Sequence, residues 1–160
     1  EWGMSEAQAA EELIPAQAIY FAMHEDDVRR VLAHPRAMVG SDGIPGTDAP
    51  HPRLWGTFPR VLGYYARDVG LFTLETAVHK MTGHTAGIFG FKDRGVLRAG
   101  AYADITVFNR DTVLDRATFE KPTTPSDGIM HVMVGGEVVL ENGTLTPSRP
   151  GRLVHRDGAA

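Results

Sequence analysis

Ala37-Met38-Val39-Gly40-Ser41-Asp42-Gly43-Ile44-Pro45 sets the fold class: a short apolar strand runs into a turn tripeptide with a carboxylate at its centre. The residues before it alternate in type. Ser5 to Leu13 predicts a short helix, with Ser5 and Gln8 at capping-box spacing and Pro15 as its stop. Ala18–Met23 predicts a strand, rich in aromatic and branched residues. Asp26–Ala33 predicts a second helix, with acids in the first turn and Arg29-Arg30 beyond them, as the helix dipole prefers. Helix, strand, helix, strand is the rhythm of a parallel α/β sheet with helices on its faces.

Beyond the tripeptide, Ile44 to Gly56 predicts a long proline-rich loop, and loops of that length are often functional. Helices are predicted over Thr57–Arg67, with Pro59 in the first turn, and over Thr73–Met81, with Thr73 as N-cap. From Lys92 the pattern changes. Val96-Leu97, Ala103–Phe108, Ile129–Val134 and Glu137–Leu140 predict strands, and Gly135-Gly136 is suited to a two-residue hairpin turn. A boundary near Gly90 therefore divides an α/β part, residues 1–90, from a small β part with a tail, residues 91–160.

Composition narrows the function classes. The chain has 160 residues, 42% hydrophobic and 22% charged, which is ordinary for a folded protein. A complete (β/α)8 barrel needs roughly 250 residues, so only part of one fits. The net charge of −4 carries no basic footprint for nucleic acid. No apolar run is long enough to span a membrane, and Glu1-Trp2-Gly3-Met4-Ser5 is not a secretory signal. The missing initial Met is expected of a cut piece. Cysteine is absent, which removes thiolate ligands and Cys nucleophiles and fits a cytoplasmic protein.

Asp42 is the first candidate for chemistry. It follows the C-terminal end of a strand, the edge that carries catalytic groups in barrels. A carboxylate there can bind a metal or accept a proton from an attacking water. The plain alternative is a turn, because Asp-Gly is turn chemistry anywhere. Ser126-Asp127-Gly128 repeats the tripeptide with no strand before it, and reads as such a turn.

The residues around Asp42 carry more. Ser41-Asp42-Gly43-Ile44-Pro45 is followed by Pro50-His51-Pro52-Arg53-Leu54-Trp55-Gly56-Thr57-Phe58-Pro59-Arg60, then by Lys80-Met81-Thr82-Gly83 and by Lys92-Asp93-Arg94-Gly95-Val96-Leu97-Arg98-Ala99-Gly100. This set resembles the N-acyl-D-amino-acid deacylases, or D-aminoacylases, of the amidohydrolase superfamily. The closing Gly-x-Leu-x-x-Gly-x-x-Ala-Asp, through Ala103-Asp104, identifies the superfamily only.

The resemblance implies the last strands and helices of a (β/α)8 barrel, followed by a small β-sandwich portion. It implies a zinc cofactor whose main ligands, beginning with a His-x-His pair, lie outside this chain. It implies hydrolysis of a small-molecule N-acyl-D-amino acid to a carboxylate and a D-amino acid, with the chain inactive without the N-terminal part of the barrel. Asp42 matches the aspartate that moves a proton from water to the leaving amine, and it lies where it could also serve as a metal ligand. Arg53 matches the arginine that grips the substrate α-carboxylate; on sequence alone, pairing with an acid such as Asp48 is an equal alternative. His51 is a substrate neighbour or a loop-shaping residue. Two other functions remain open: a non-catalytic assembly fragment, and a cyclic-amide hydrolase such as a hydantoinase.

The remaining candidates are weaker. His79 and His84, five positions apart, do not share a helix face, which argues against chelation. His24 and His34 read as capping or surface groups. Trp55 is expected as a buried aromatic holding the loop, or as a pocket wall.

Overall fold

The computed structural model describes residues 2–15, 19, 21–46 and 49–155. Five α-helices occur among them: α1 (Glu6–Leu13), α2 (Glu25–Ala33), α3 (Arg53–Arg60), α4 (Leu74–Met81) and α5 (Gly83–Phe89). A π-helical segment, Val61–Asp68, continues directly from α3. Four strands, β1 (Ile105–Phe108), β2 (Ile129–Val134), β3 (Glu137–Glu141) and β4 (Thr144–Leu145), form one antiparallel sheet in that order.

Local signals account for much of this. Ser5 and Gln8 close the capping box at the start of α1, and Thr73 caps α4 by accepting from Thr76 N–H. Gly135 and Gly136, with φ of 58° and 87°, turn β2 into β3 as a hairpin of this length requires. The tail wraps back: Thr146 bonds to the carbonyls of Val138 and Val139.

Four expectations need correction. Helix α3 starts at Arg53, not Thr57, so Arg53 is helical rather than part of a loop. Gly56, expected at the end of the loop, is instead buried within this helix, where an added Cβ would come within 3.2 Å of Asp115 Cβ. Pro59 consequently sits inside the helix. It cannot donate to the carbonyl one turn back, on Trp55, and the Ser126 hydroxyl donates to that oxygen instead, at 3.3 Å. Val96-Leu97 forms bends rather than a strand.

Ala37–Gly40 forms no strand ladder among the described residues, because no described segment lies alongside to pair with it. The expected strand at Ala18–Met23 falls partly outside the described residues; Ile19 and Phe21–Met23 are likewise unpaired there. Helix α5 was not foreseen in the sequence.

The core crosses the expected boundary at Gly90. Val113, fully buried, packs with Val61, Leu62, Tyr65, Ala66 and Ala77, with Phe108 and Ile129 against the cluster. Arg67 Nη1 donates to the Val113 carbonyl at 2.8 Å, tying the π-helical segment to the β part. Lys80 is buried and donates to the His34 and Ala37 carbonyls at 2.6 and 3.1 Å, fixing the turn that leads to Asp42. Burial lowers its pKa.

Candidate functional site

The two Ser-Asp-Gly copies have different backbones. At the first, Asp42 adopts φ 48°, a left-handed conformation that aspartate tolerates better than most residues. Ser41 Oγ accepts from Gly43 N–H at 3.2 Å, and a Cβ on Gly43 would meet Leu54 Cδ1 at 2.7 Å. The turn therefore lies tight against the start of α3 and leaves the Asp42 carboxylate projecting, 79% exposed. At the second copy it is Gly128 that takes positive φ, 74°. Asp127 bridges to Leu114 and pairs with Arg116 at 2.6 Å, so it is committed to structure. It leads into β2, as the sequence suggested.

Arg53 comes to Asp42 from the first position of α3. Its Nη2 lies 2.9 Å from Asp42 Oδ2, and its Nε donates to the Asp42 carbonyl oxygen at 2.7 Å. Asp48, the acid weighed as a partner for Arg53, lies outside the described residues.

His51 shapes the start of this helix. Pro52 has no side-chain cap to offer, and His51 Nδ1 accepts the Arg53 N–H at 3.0 Å. Its ring meets Phe119 edge-on, with centroids 5.2 Å apart. Desolvation, then the Arg53 cation, push its pKa down against a smaller opposing effect of Asp42, which favours the neutral imidazole that can accept. Beside it opens a cleft of about 360 Å³, lined by His51, Arg53, Thr57, Arg60, Asp115 and Phe119 among others. Asp115 holds Arg60 at 3.3 Å across this cleft, a contact between distant parts of the chain that no sequence signal marked.

The other candidates fall elsewhere. His24 caps α2 through Asp26 N–H, and His34 accepts from Arg36 N–H. The break between α4 and α5 at Thr82 brings the rings of His79 and His84 to 5.7 Å, closer than their spacing on one helix implies. His84 is engaged with the Arg36 carbonyl at 3.3 Å. Trp55 is 41% exposed, not buried. No three His, Asp or Glu side chains gather as a metal site among the described residues. Zinc takes four ligands, three of them from protein in catalytic sites. Asp42, with its exposed oxygens, fits one such position, and further donors would have to come from elsewhere.

A profile described as the amidohydrolase family matches residues 5–140. The chain belongs to the amidohydrolase family. It is 55% identical to a D-aminoacylase of Alcaligenes xylosoxydans xylosoxydans over 99% of its own length and 33% of that protein's. Its structure is similar to that of a D-aminoacylase with a binuclear metal centre, with a TM-score of 0.86 and 55% identity, over 91% of this chain and 31% of that one. It is also similar to an N-acyl-D-glutamate deacylase of Bordetella bronchiseptica complexed with zinc and a phosphonate mimic of the tetrahedral intermediate, with a TM-score of 0.83 and 56% identity, over 86% of this chain and 29% of that one. The chain thus spans about a third of the length of the relatives it matches. The family and its arrangement of helices followed by an antiparallel sheet agree with the resemblance read from the sequence.

Proposed function

We propose that this chain is the C-terminal part of a zinc-dependent enzyme that hydrolyses the amide of N-acyl-D-amino acids, releasing a carboxylate and a D-amino acid. The observation that carries this reading is the Ser41-Asp42-Gly43 turn, which holds a projecting carboxylate beside the Arg53 guanidinium. Its support is the identity above one half with a D-aminoacylase across nearly the whole chain.

In this reading residues 1–90 complete a (β/α)8 barrel and residues 91–160 belong to the small β domain. The apolar trough of about 280 Å³ lined by Met23, Val31, Leu32, Met38 and Val39 supports a need for the N-terminal part of the barrel as cover. A cytoplasmic location is part of this reading. No described helix is long and apolar enough to cross a membrane.

Asp42 accepts a proton from water as that water adds to the amide carbonyl, and returns it to the amine nitrogen as the C–N bond breaks. Arg53 binds the α-carboxylate, for which a guanidinium offers two parallel donors. His51 neighbours that pair and holds the start of α3 in place by accepting the Arg53 N–H. Zinc, when bound, polarises the amide and activates water at neutral pH. Asp42 would supply one of its donors, with the main ligands on the rest of the protein.

The test is direct. Full-length protein loaded with zinc should release the D-amino acid, and not the L-amino acid, from racemic N-acetylmethionine, N-acetylglutamate or N-acetylaspartate. Residues 1–160 alone with zinc should release none. Hydrolysis of dihydrouracil or a hydantoin in preference to all three acyl amino acids would overturn the assignment.

A further inference from the structure

Arg53 engages Asp42 through two donors on one edge of its guanidinium, Nη2 on the carboxylate and Nε on the main-chain carbonyl. Nη2 also belongs to the Nη1–Nη2 end of the guanidinium, whose two donors match a carboxylate. The group assigned to grip substrate therefore already grips the group assigned to move the proton.

We propose that the Asp42–Arg53 pair is a substrate-operated latch: the α-carboxylate of the N-acyl-D-amino acid takes the Nη1–Nη2 end of Arg53, displaces the Asp42 carboxylate from Nη2 while Nε keeps the main-chain carbonyl, and so frees Asp42 Oδ2 for proton transfer. The latch rests on the two roles proposed above.

Three features suit the pair to exchange. The carboxylate is 79% exposed and the guanidinium side chain 36%, and exposed pairs are weakly held, so a competing carboxylate can replace one partner. The backbone at Asp42 is fixed independently by the Ser41–Gly43 bond and the close approach of Leu54, so release moves the side chain and not the turn. Arg53 is fixed at its own main chain by His51. Two anchored residues joined by a loose ion pair have two discrete arrangements, and a ligand that binds one better selects it.

The consequence is kinetic. A simple binding handle, when unused, raises KM. A latch also lowers kcat, because a substrate without a carboxylate leaves part of the enzyme with Asp42 held. An exposed pair supports a shift of roughly fivefold.

The experiment compares N-acetyl-D-methionine with N-acetyl-D-methioninamide on the full-length, zinc-loaded enzyme. In wild type, kcat for the amide should be about fivefold below that for the acid, besides any rise in KM. In Arg53→Ala, where no guanidinium holds Asp42 Oδ2, kcat for the amide should rise above its wild-type value and approach that for the acid. A second readout needs no turnover. In Asp42→Asn, calorimetric binding of N-acetyl-D-methionine should be roughly threefold tighter or more, because no charged carboxylate then competes for Nη2. An amide kcat equal to the acid's in wild type, an amide kcat not raised in Arg53→Ala, or unchanged affinity in Asp42→Asn would overturn the latch while leaving the deacylase assignment intact. No turnover of the acid by wild type would overturn both.

Discussion

Gly63→Ala places a methyl group where the β part already stands. A Cβ at Gly63 would lie 2.1 Å from the Val113 carbonyl oxygen, 3.0 Å from Leu114 Cδ1 and 3.1 Å from Leu114 Cα. Two of those atoms are main chain, so the clash is relieved only by moving the π-helical segment and the 113–114 segment apart. Overpacking of this kind costs about 1–3 kcal/mol. The same oxygen accepts from Arg67 Nη1 at 2.8 Å, and losing a hydrogen bond to a charged group costs about 1.5–3 kcal/mol more. Together the change should destabilise by about 3–5 kcal/mol. At about 2–4 °C per kcal/mol for a domain of this size, Tm should fall by roughly 10 °C. Scanning calorimetry reads this directly, with Gly87→Ala as control. Gly87 lies within α5 with nothing within 4 Å of an added Cβ, so alanine there should raise stability by up to about 1 kcal/mol. A Gly63→Ala variant melting within about 2 °C of the parent would refute the packing of the π-helical segment against Val113.

Three further outcomes are expected. Lys80→Met keeps the apolar stem but leaves the His34 and Ala37 carbonyls without their donor, so stability in denaturant should fall by about 1–3 kcal/mol, and the amide hydrogens just after Ala37 should exchange faster. His51 has a folded pKa below its ordinary value, so the unfolded chain binds the proton more readily; wild type should lose stability relative to His51→Asn as pH falls through about 6.5, whereas at pH 8 that proton linkage contributes nothing. Arg53→Lys keeps the charge but loses the two-donor fork, so KM for N-acetyl-D-methionine should rise in steady-state assays, and an unchanged KM would remove Arg53 from carboxylate recognition.

What the sequence made legible follows the range of the interactions involved. Helices α1, α2 and α4 are signalled by caps within three residues of their starts, at Ser5, His24 and Thr73, so nothing distant is needed to place them. Strands β2 and β3 are signalled by their apolar runs and by Gly135-Gly136 between them. The start of α3 was hidden because Gly56 and Pro59 both count against a helix locally, and both are accommodated by distant partners, Asp115 and Ser126. Helix α5 was hidden by Gly83 and Gly87 in a segment of only seven residues. Asp42 was legible as a carboxylate ending a strand-like run. Its pairing with Arg53 was not, because that contact forms only when Arg53 opens α3 rather than lying in a loop.

The central claim is that Asp42 moves the proton and Asp127, in the same tripeptide, does not. The most direct measurement is kcat/KM of the full-length, zinc-loaded protein with N-acetyl-D-methionine in two variants, Asp42→Asn and Asp127→Asn. Asparagine tolerates the left-handed backbone at position 42 but cannot take the proton. The account predicts a fall of roughly 10²–10⁴-fold for Asp42→Asn. For Asp127→Asn, which weakens only a half-exposed pair with Arg116, it predicts a change within about fivefold. Equal losses from the two substitutions, or an Asp42→Asn enzyme within about tenfold of wild type, would contradict it.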